Sequence, residues 1–260
     1  MTLPRASLAI LLATLAGCGG KVVVDPTPSP ADAPPKVILA NSGDTLYAVR
    51  PPTEDDHLAH VEVIATFKGC EDVNELAMSS TGTLYAATAT GLYTVDRSDG
   101  TCTLVAMGAY PESLAFVPPG TVDPDEEALV GYMGASYVRV DPSTGTVTTI
   151  GSFGSSLVPR GDLAADLLGN AFLTVEGEGC DVCLVRVDAK TGALAEMLYP
   201  TGEDISGLAY ADGALYGVGT PVAVWEFTTV PPVPLEPFAT GFPLTAPSEL
   251  HDLRGATAER

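Results

Sequence analysis

Three segments, LYTVDRSDGT (92–101), YVRVDPSTGT (137–146) and LVRVDAKTGA (184–193), start about 45 residues apart and share one pattern: apolar strand, Asp, three turn residues, Gly, second strand. A tight hairpin repeated at that spacing, with further strand-like runs around each copy, predicts an all-β chain folded as a five-bladed β-propeller. Both ends of the repeat array are incomplete, and together they supply one blade. The expected closure is therefore of the velcro kind, with a C-terminal strand completing the N-terminal blade and removing exposed sheet edges.

The first strands are NELAMSSTG (74–82), ESLAFVPPG (112–120), GDLAADLLG (161–169) and SGLAYADG (206–213), each centred on Leu and closed by Gly. Second strands follow as TLYAATAT (83–90), ALVGYMG (128–134), AFLTVEG (171–177) and ALYGVGT (214–220). Third strands are those of the hairpin motif, joined by VAVWEFTTV (222–230). Fourth strands are CTLVAMG (102–108), TVTTIGSFG (146–154), ALAEMLYPTG (193–202) and LEPFATG (235–241). Blades 2 to 5 thus cover 70–108, 109–154, 155–202 and 203–241. In blade 1, KVILANSG (36–43), TLYAVRPP (45–52) and VEVIATFKG (61–69) stand as strands two to four, and ELHDLRGAT (249–257) supplies the first, giving a propeller domain over 36–260. The copies resemble the short repeats of YVTN-like, YWTD-like and PQQ-like bacterial propellers. That resemblance implies the fold and no ligand.

Before the repeats, Arg5 and the apolar run ASLAILLATLAG (6–17) have the form of a signal peptide, too short for a permanent span. Leu15, Ala16, Gly17 and Cys18 resemble the bacterial lipobox, which implies removal of residues 1–17 and acylation of Cys18, a membrane partner through lipid. Gly19 follows where an Asp would favour inner-membrane retention in that family, so the expected location is the cell envelope as an outer-membrane lipoprotein. Residues 18–35 carry Pro26, Pro28, Pro30, Pro34 and Pro35 and form the tether.

With 33 acidic against 12 basic residues and a formal charge of −21, the chain repels phosphate backbones, which argues against nucleic acid as a partner. Four further cysteines, Cys70, Cys102, Cys180 and Cys183, are an even number in an oxidising compartment. The C-x-x-C spacing of Cys180 and Cys183 raises redox and metal readings. The surrounding EGEGCDVC has no helix and no second metal-spaced pair, which favours a structural disulfide and leaves Cys70 to pair with Cys102.

The hairpin residues Asp96, Asp141 and Asp188, with Gly100, Gly145 and Gly192, have a structural explanation as turn formers. The first strands line the central channel, so residues at one repeat-aligned position form a ring. Just before the aligned Leu stand Glu75, Ser113, Asp162, Gly207 and Asp252; one step earlier stand Asn74, Glu112, Gly161, Ser206 and His251. Glu75, Asp162 and Asp252 are the candidate metal ligands, with Ca²⁺ the fitting ion for flexible oxygen donors. The alternatives are hydrogen-bonded framework and, by resemblance to five-bladed glycosidases, acid and nucleophile. The chain has no G-x-S-x-G, H-E-x-x-H, P-loop or dinucleotide fingerprint, and only one Trp (Trp225) to serve a sugar platform. The favoured function is a lipid-anchored, non-enzymatic binding or scaffold module with a protein or glycan partner; the alternatives are an envelope hydrolase or lyase and a Ca²⁺-stabilised structural propeller.

Overall fold

A computed structural model of the chain describes residues 37–53, 55–201, 204–211, 213–220, 222–227, 239–241, 244–248, 250 and 252–258. Every regular element among them is a β-strand. Cys18, the signal segment, the tether and His251 lie outside the described residues.

Five antiparallel meanders form the blades. Blade 2 contains β4 (Glu75–Met78), β5 (Leu84–Ala87), β6 (Gly91–Val95) and β7 (Cys102–Met107). Blade 3 contains β8 (Ser113–Val117), β9 (Ala128–Met133), β10 (Ser136–Val140) and β11 (Val147–Ser152). Blade 4 contains β12 (Val158–Ala165), β13 (Asn170–Gly177), β14 (Cys180–Asp188) and β15 (Leu194–Pro200). Blade 5 contains β16 (Ile205–Ala211), β17 (Ala214–Gly219), β18 (Ala223–Phe227) and β19 (Ala239–Gly241).

Blade 1 is assembled from both ends of the chain. β1 (Ile38–Asn41), β2 (Thr45–Arg50) and β3 (Ala59–Thr66) are joined by the C-terminal β21 (Ala256–Ala258), which pairs Ile38 with Ala258 and Ala40 with Ala256. The velcro closure is therefore present. A two-residue strand, β20 (Leu244–Thr245), adds a parallel bridge on the outside of β3 that the repeat pattern gave no reason to expect.

Period-2 alternation explains how the ring holds together, because each blade is buried on both faces. In β1, Ile38 and Ala40 pack toward blade 5 while Leu39 packs toward blade 2. In β4, Leu76 and Met78 face blade 1, and Ala77 faces blade 3. The five buried clusters among the described residues accordingly lie between neighbouring blades, one per junction.

Each meander places its strand 1–2 turn and strand 3–4 hairpin on one face of the ring. The opposite face carries the strand 2–3 turns and the linkers between blades. On the hairpin face each predicted Asp does the same work: Asp96 Oδ1 accepts the Ser98 N–H at 2.8 Å, Asp141 Oδ1 that of Ser143 at 2.8 Å, and Asp188 Oδ1 those of Lys190 and Thr191 at 2.9 Å. The glycines close the hairpins at positive φ and also let neighbouring blades interlock. A Cβ on Gly192 would lie 2.2 Å from the Tyr137 ring, whose hydroxyl donates to Ala189 O at 2.7 Å. Both expected disulfides are present, Cys180–Cys183 within the first residues of β14 and Cys70–Cys102 joining the blade 1 linker to β7.

Candidate functional site

Where the first strands begin, two carboxyl groups meet on the ring axis. Asp162, fully buried, accepts N–H groups from three blades: its own Leu163 at 2.7 Å, Leu208 of blade 5 at 2.9 Å and Ala256 of blade 1 at 2.9 Å. Glu75 of blade 2, 3 % exposed, hydrogen-bonds the same carboxylate. Four of the five blades therefore converge on one side chain. In blade 3, Ser113 is also buried, and its Oγ accepts the Tyr132 N–H at 3.1 Å.

Burial pushes the Glu75 carboxyl well above the ordinary carboxylate range, and the nearby Asp162 charge pushes it further. Burial also raises Asp162, to about 6, although the bonds it accepts from Glu75, Leu208, Ala256 and Leu163 pull the other way. Two carboxyl groups buried in contact cannot both be ionised. Glu75 carries the proton and donates; Asp162 is the acceptor. The second Glu75 oxygen, Oε2, makes no hydrogen bond among the described residues and lies against Gly255, where a Cβ would come within 2.8 Å of it.

Gly255 holds the blade 1 place in this ring, three residues beyond the expected Asp252. By sequence Leu253 stands in line with the first-strand leucines, but Ala256 occupies that register, pairing with Ala40. Asp252 instead bonds Arg254 Nε at 3.1 Å and lines a separate cavity of ≈ 540 Å³ on the linker face with Asp44, Asp72 and Tyr47. Ser206, half-buried, donates to Leu253 O at 2.5 Å, and Glu112 is exposed with its N–H on Tyr132 O at 3.3 Å. Asn74 accepts the Gly255 N–H at 3.3 Å. The structure thus brings Glu75 and Asp162 together and leaves Asp252, Glu112 and Ser206 out of their contact.

This donor set does not fit a cation. Both Asp162 oxygens accept N–H groups and Asp252 bonds Arg254 away from the pair, and no group of three or more His, Cys, Asp or Glu among the described residues could hold a metal. Among the first strands, a cavity of ≈ 20 Å³, about the space of one water, lies between Met78, Phe116, Ala165, Tyr210 and Ala258.

Fold and axial geometry define the class, a five-bladed β-propeller with a closed centre. Comparisons with known proteins add the fold and no more. A chain of a nidogen/laminin complex superposes with a TM-score of 0.52 at 12 % identity, over 86 % of this chain and 98 % of that one. A protein of unknown function from Bacteroides caccae gives 0.47 at 9 % identity over 87 % and 100 %, and the Dos1 propeller 0.43 at 15 % over 80 % and 57 %. No protein-family model and no curated protein matches the sequence.

Proposed function

We propose that this chain is a lipid-anchored propeller of the bacterial cell envelope, held through Cys18 on the 18–35 tether, that acts as a non-enzymatic binding or scaffold module for a protein or glycan. The observation that carries the non-enzymatic part is the axis. Its buried carboxyls join blades and are shut away from substrate, so binding falls to the outer faces. The lipobox-like LAGC and the Pro-rich run after it support the anchor.

Metabolic labelling with a palmitate analogue tests the anchor: label in the full chain and none in Cys18→Ser is expected, and an unlabelled full chain removes that part of the reading. A pull-down from envelope extract tests the module. Recovery of nothing above a bare-bead control counts against it.

A further inference from the structure

We propose that the turn between β12 and β13 is a membrane-docking tip that seats the hairpin face of the propeller on a zwitterionic lipid surface. Leu167 and Leu168 are 75 % and 89 % exposed, the two most exposed of the large apolar side chains described. They are adjacent, so the apolar surface is concentrated at one point. The corresponding turn of blade 2 carries Ser80 and Thr81 instead.

The turn is firmly built. Asp166, 5 % exposed, accepts the Leu168 N–H at 2.9 Å, the Asn170 N–H at 2.8 Å and Asn170 Nδ2 at 2.6 Å, while Gly169 closes the loop at φ +84. Two leucines held out on a rigid turn lose little conformational freedom when covered.

The occupant follows from where the chain enters the fold. Ile38 opens β1 opposite Ala258, the last residue of β21, so the N-terminal segment joins the propeller on the hairpin face, the face that presents Leu167 and Leu168. The inference rests on the lipid-anchor reading. An anchor at Cys18, with at most roughly 65 Å of chain before Val37, would hold this face within reach of the bilayer. Two leucines bind a membrane weakly when free. Tethering makes the contact intramolecular at high effective concentration.

Charge selects the lipid. Asp125 and Glu126 stand on the same face, in the β8–β9 loop beside Asp123, which pairs with Arg139 at 3.0 Å, and repel an anionic surface. Lys190, in the β14–β15 hairpin beside the turn, offsets them only locally.

The test separates this proposal from the anchor itself. The chain from Gly19 onward, which keeps all the described strands, is attached through an N-terminal hexahistidine to phosphatidylcholine–phosphatidylethanolamine vesicles containing a nickel-chelating lipid. Tethering then needs no acylation. Leu168→Trp adds a tryptophan at the tip, and Ala135→Trp adds one in the β9–β10 turn of the opposite face. The existing Trp225 is buried. With brominated acyl chains, the added emission of Leu168→Trp should fall by about half and that of Ala135→Trp should stay unchanged, as contact quenching requires penetration of the headgroup boundary. Replacing a quarter of the lipid with phosphatidylglycerol should weaken the quenching, and adding Leu167→Ser to Leu168→Trp should reduce it at least about threefold. Equal, unquenched emission from both tryptophan variants overturns the proposal, whatever the palmitate experiment gives. Loss of a protein from the pull-down on Leu167→Ser/Leu168→Ser, with no quenching, assigns the tip to a protein partner instead.

Discussion

The axis and the hairpin rim place the same chemical group in opposite settings. At the axis, Asp162 is fully buried and gathers N–H groups from three blades, whereas at the rim Asp96 is exposed and Asp141 half-buried, and each gathers N–H groups from its own turn. Burial raises the axial pair; local hydrogen bonds lower Asp96 and Asp141. A carboxylate that joins separate blades acts on ring closure, and one that organises four residues acts on a turn.

The largest expected effect breaks the axis. Asp162→Asn keeps the size but turns an amide toward N–H donors and withdraws the charge that Glu75 donates to, so stability should fall by about 3–5 kcal/mol. For a domain of this size the melting temperature should drop by at least about 6 °C, read by circular dichroism. A drop of one or two degrees would mean that the pair does not hold the ring.

At the rim the glycine, not the aspartate, is expected to be the sensitive residue. Gly192→Ala forces a Cβ into the Tyr137 ring at φ +70 and should cost about 3 kcal/mol, measured by urea unfolding. An unchanged midpoint would show that the blade 3–blade 4 junction can yield.

The same contrast sets the pH profile. Both axial groups have folded pKa values above their ordinary 4.5 and 3.8, so the native state holds more protons than the unfolded chain. Their contribution is complete below those ordinary values and is lost as pH rises through the raised folded values, about 6 for Asp162. Asp96, Asp99, Asp123 and Asp141 act oppositely: each has a lowered pKa, so its contribution is present above 3.8 and is lost as pH falls through its folded value. Glu75→Gln keeps a donor to Asp162 without a titrating proton. Urea midpoints should match the parent near pH 5 and exceed it near pH 9; a parallel decline of both proteins at high pH would place the alkaline loss elsewhere.

The repeat makes the fold legible, because the Asp–Gly hairpin recurs in blades 2, 3 and 4 where the third strand turns into the fourth, and those residues need only local turn chemistry to be recognised. The axis was half legible. Glu75, Ser113 and Asp162 sit just before a first-strand Leu, but the closing strand β21 is Ala-Thr-Ala and has no such Leu, so Leu253 attracted the alignment and Asp252 was placed three residues early. The true ring contains Gly207 and Gly255 opposite the two acids, and a Cβ on Gly207 would meet Arg254 O at 2.1 Å. Two glycines facing two carboxyls were a signal of close packing rather than of an ion-filled channel. The β20 bridge, two residues long and parallel, has no period to detect.

The smallest expected effect is the sharpest check on the contrast. Asp141→Ala removes the acceptor for Ser143 N–H, Thr144 N–H and the Ser143 hydroxyl, nominally as many bonds as Asp162 receives from the backbone. The difference is water. At the exposed rim each freed donor is rehydrated in place, and the backbone pair of Asp141 with Thr146 and Gly145 still closes the hairpin. The melting temperature should therefore fall by no more than about 3 °C, and Asp96→Ala should add to it independently from the next blade. If Asp141→Ala cost as much as Asp162→Asn, the number of bonds rather than their burial and reach across blades would set the worth of a carboxylate in this ring.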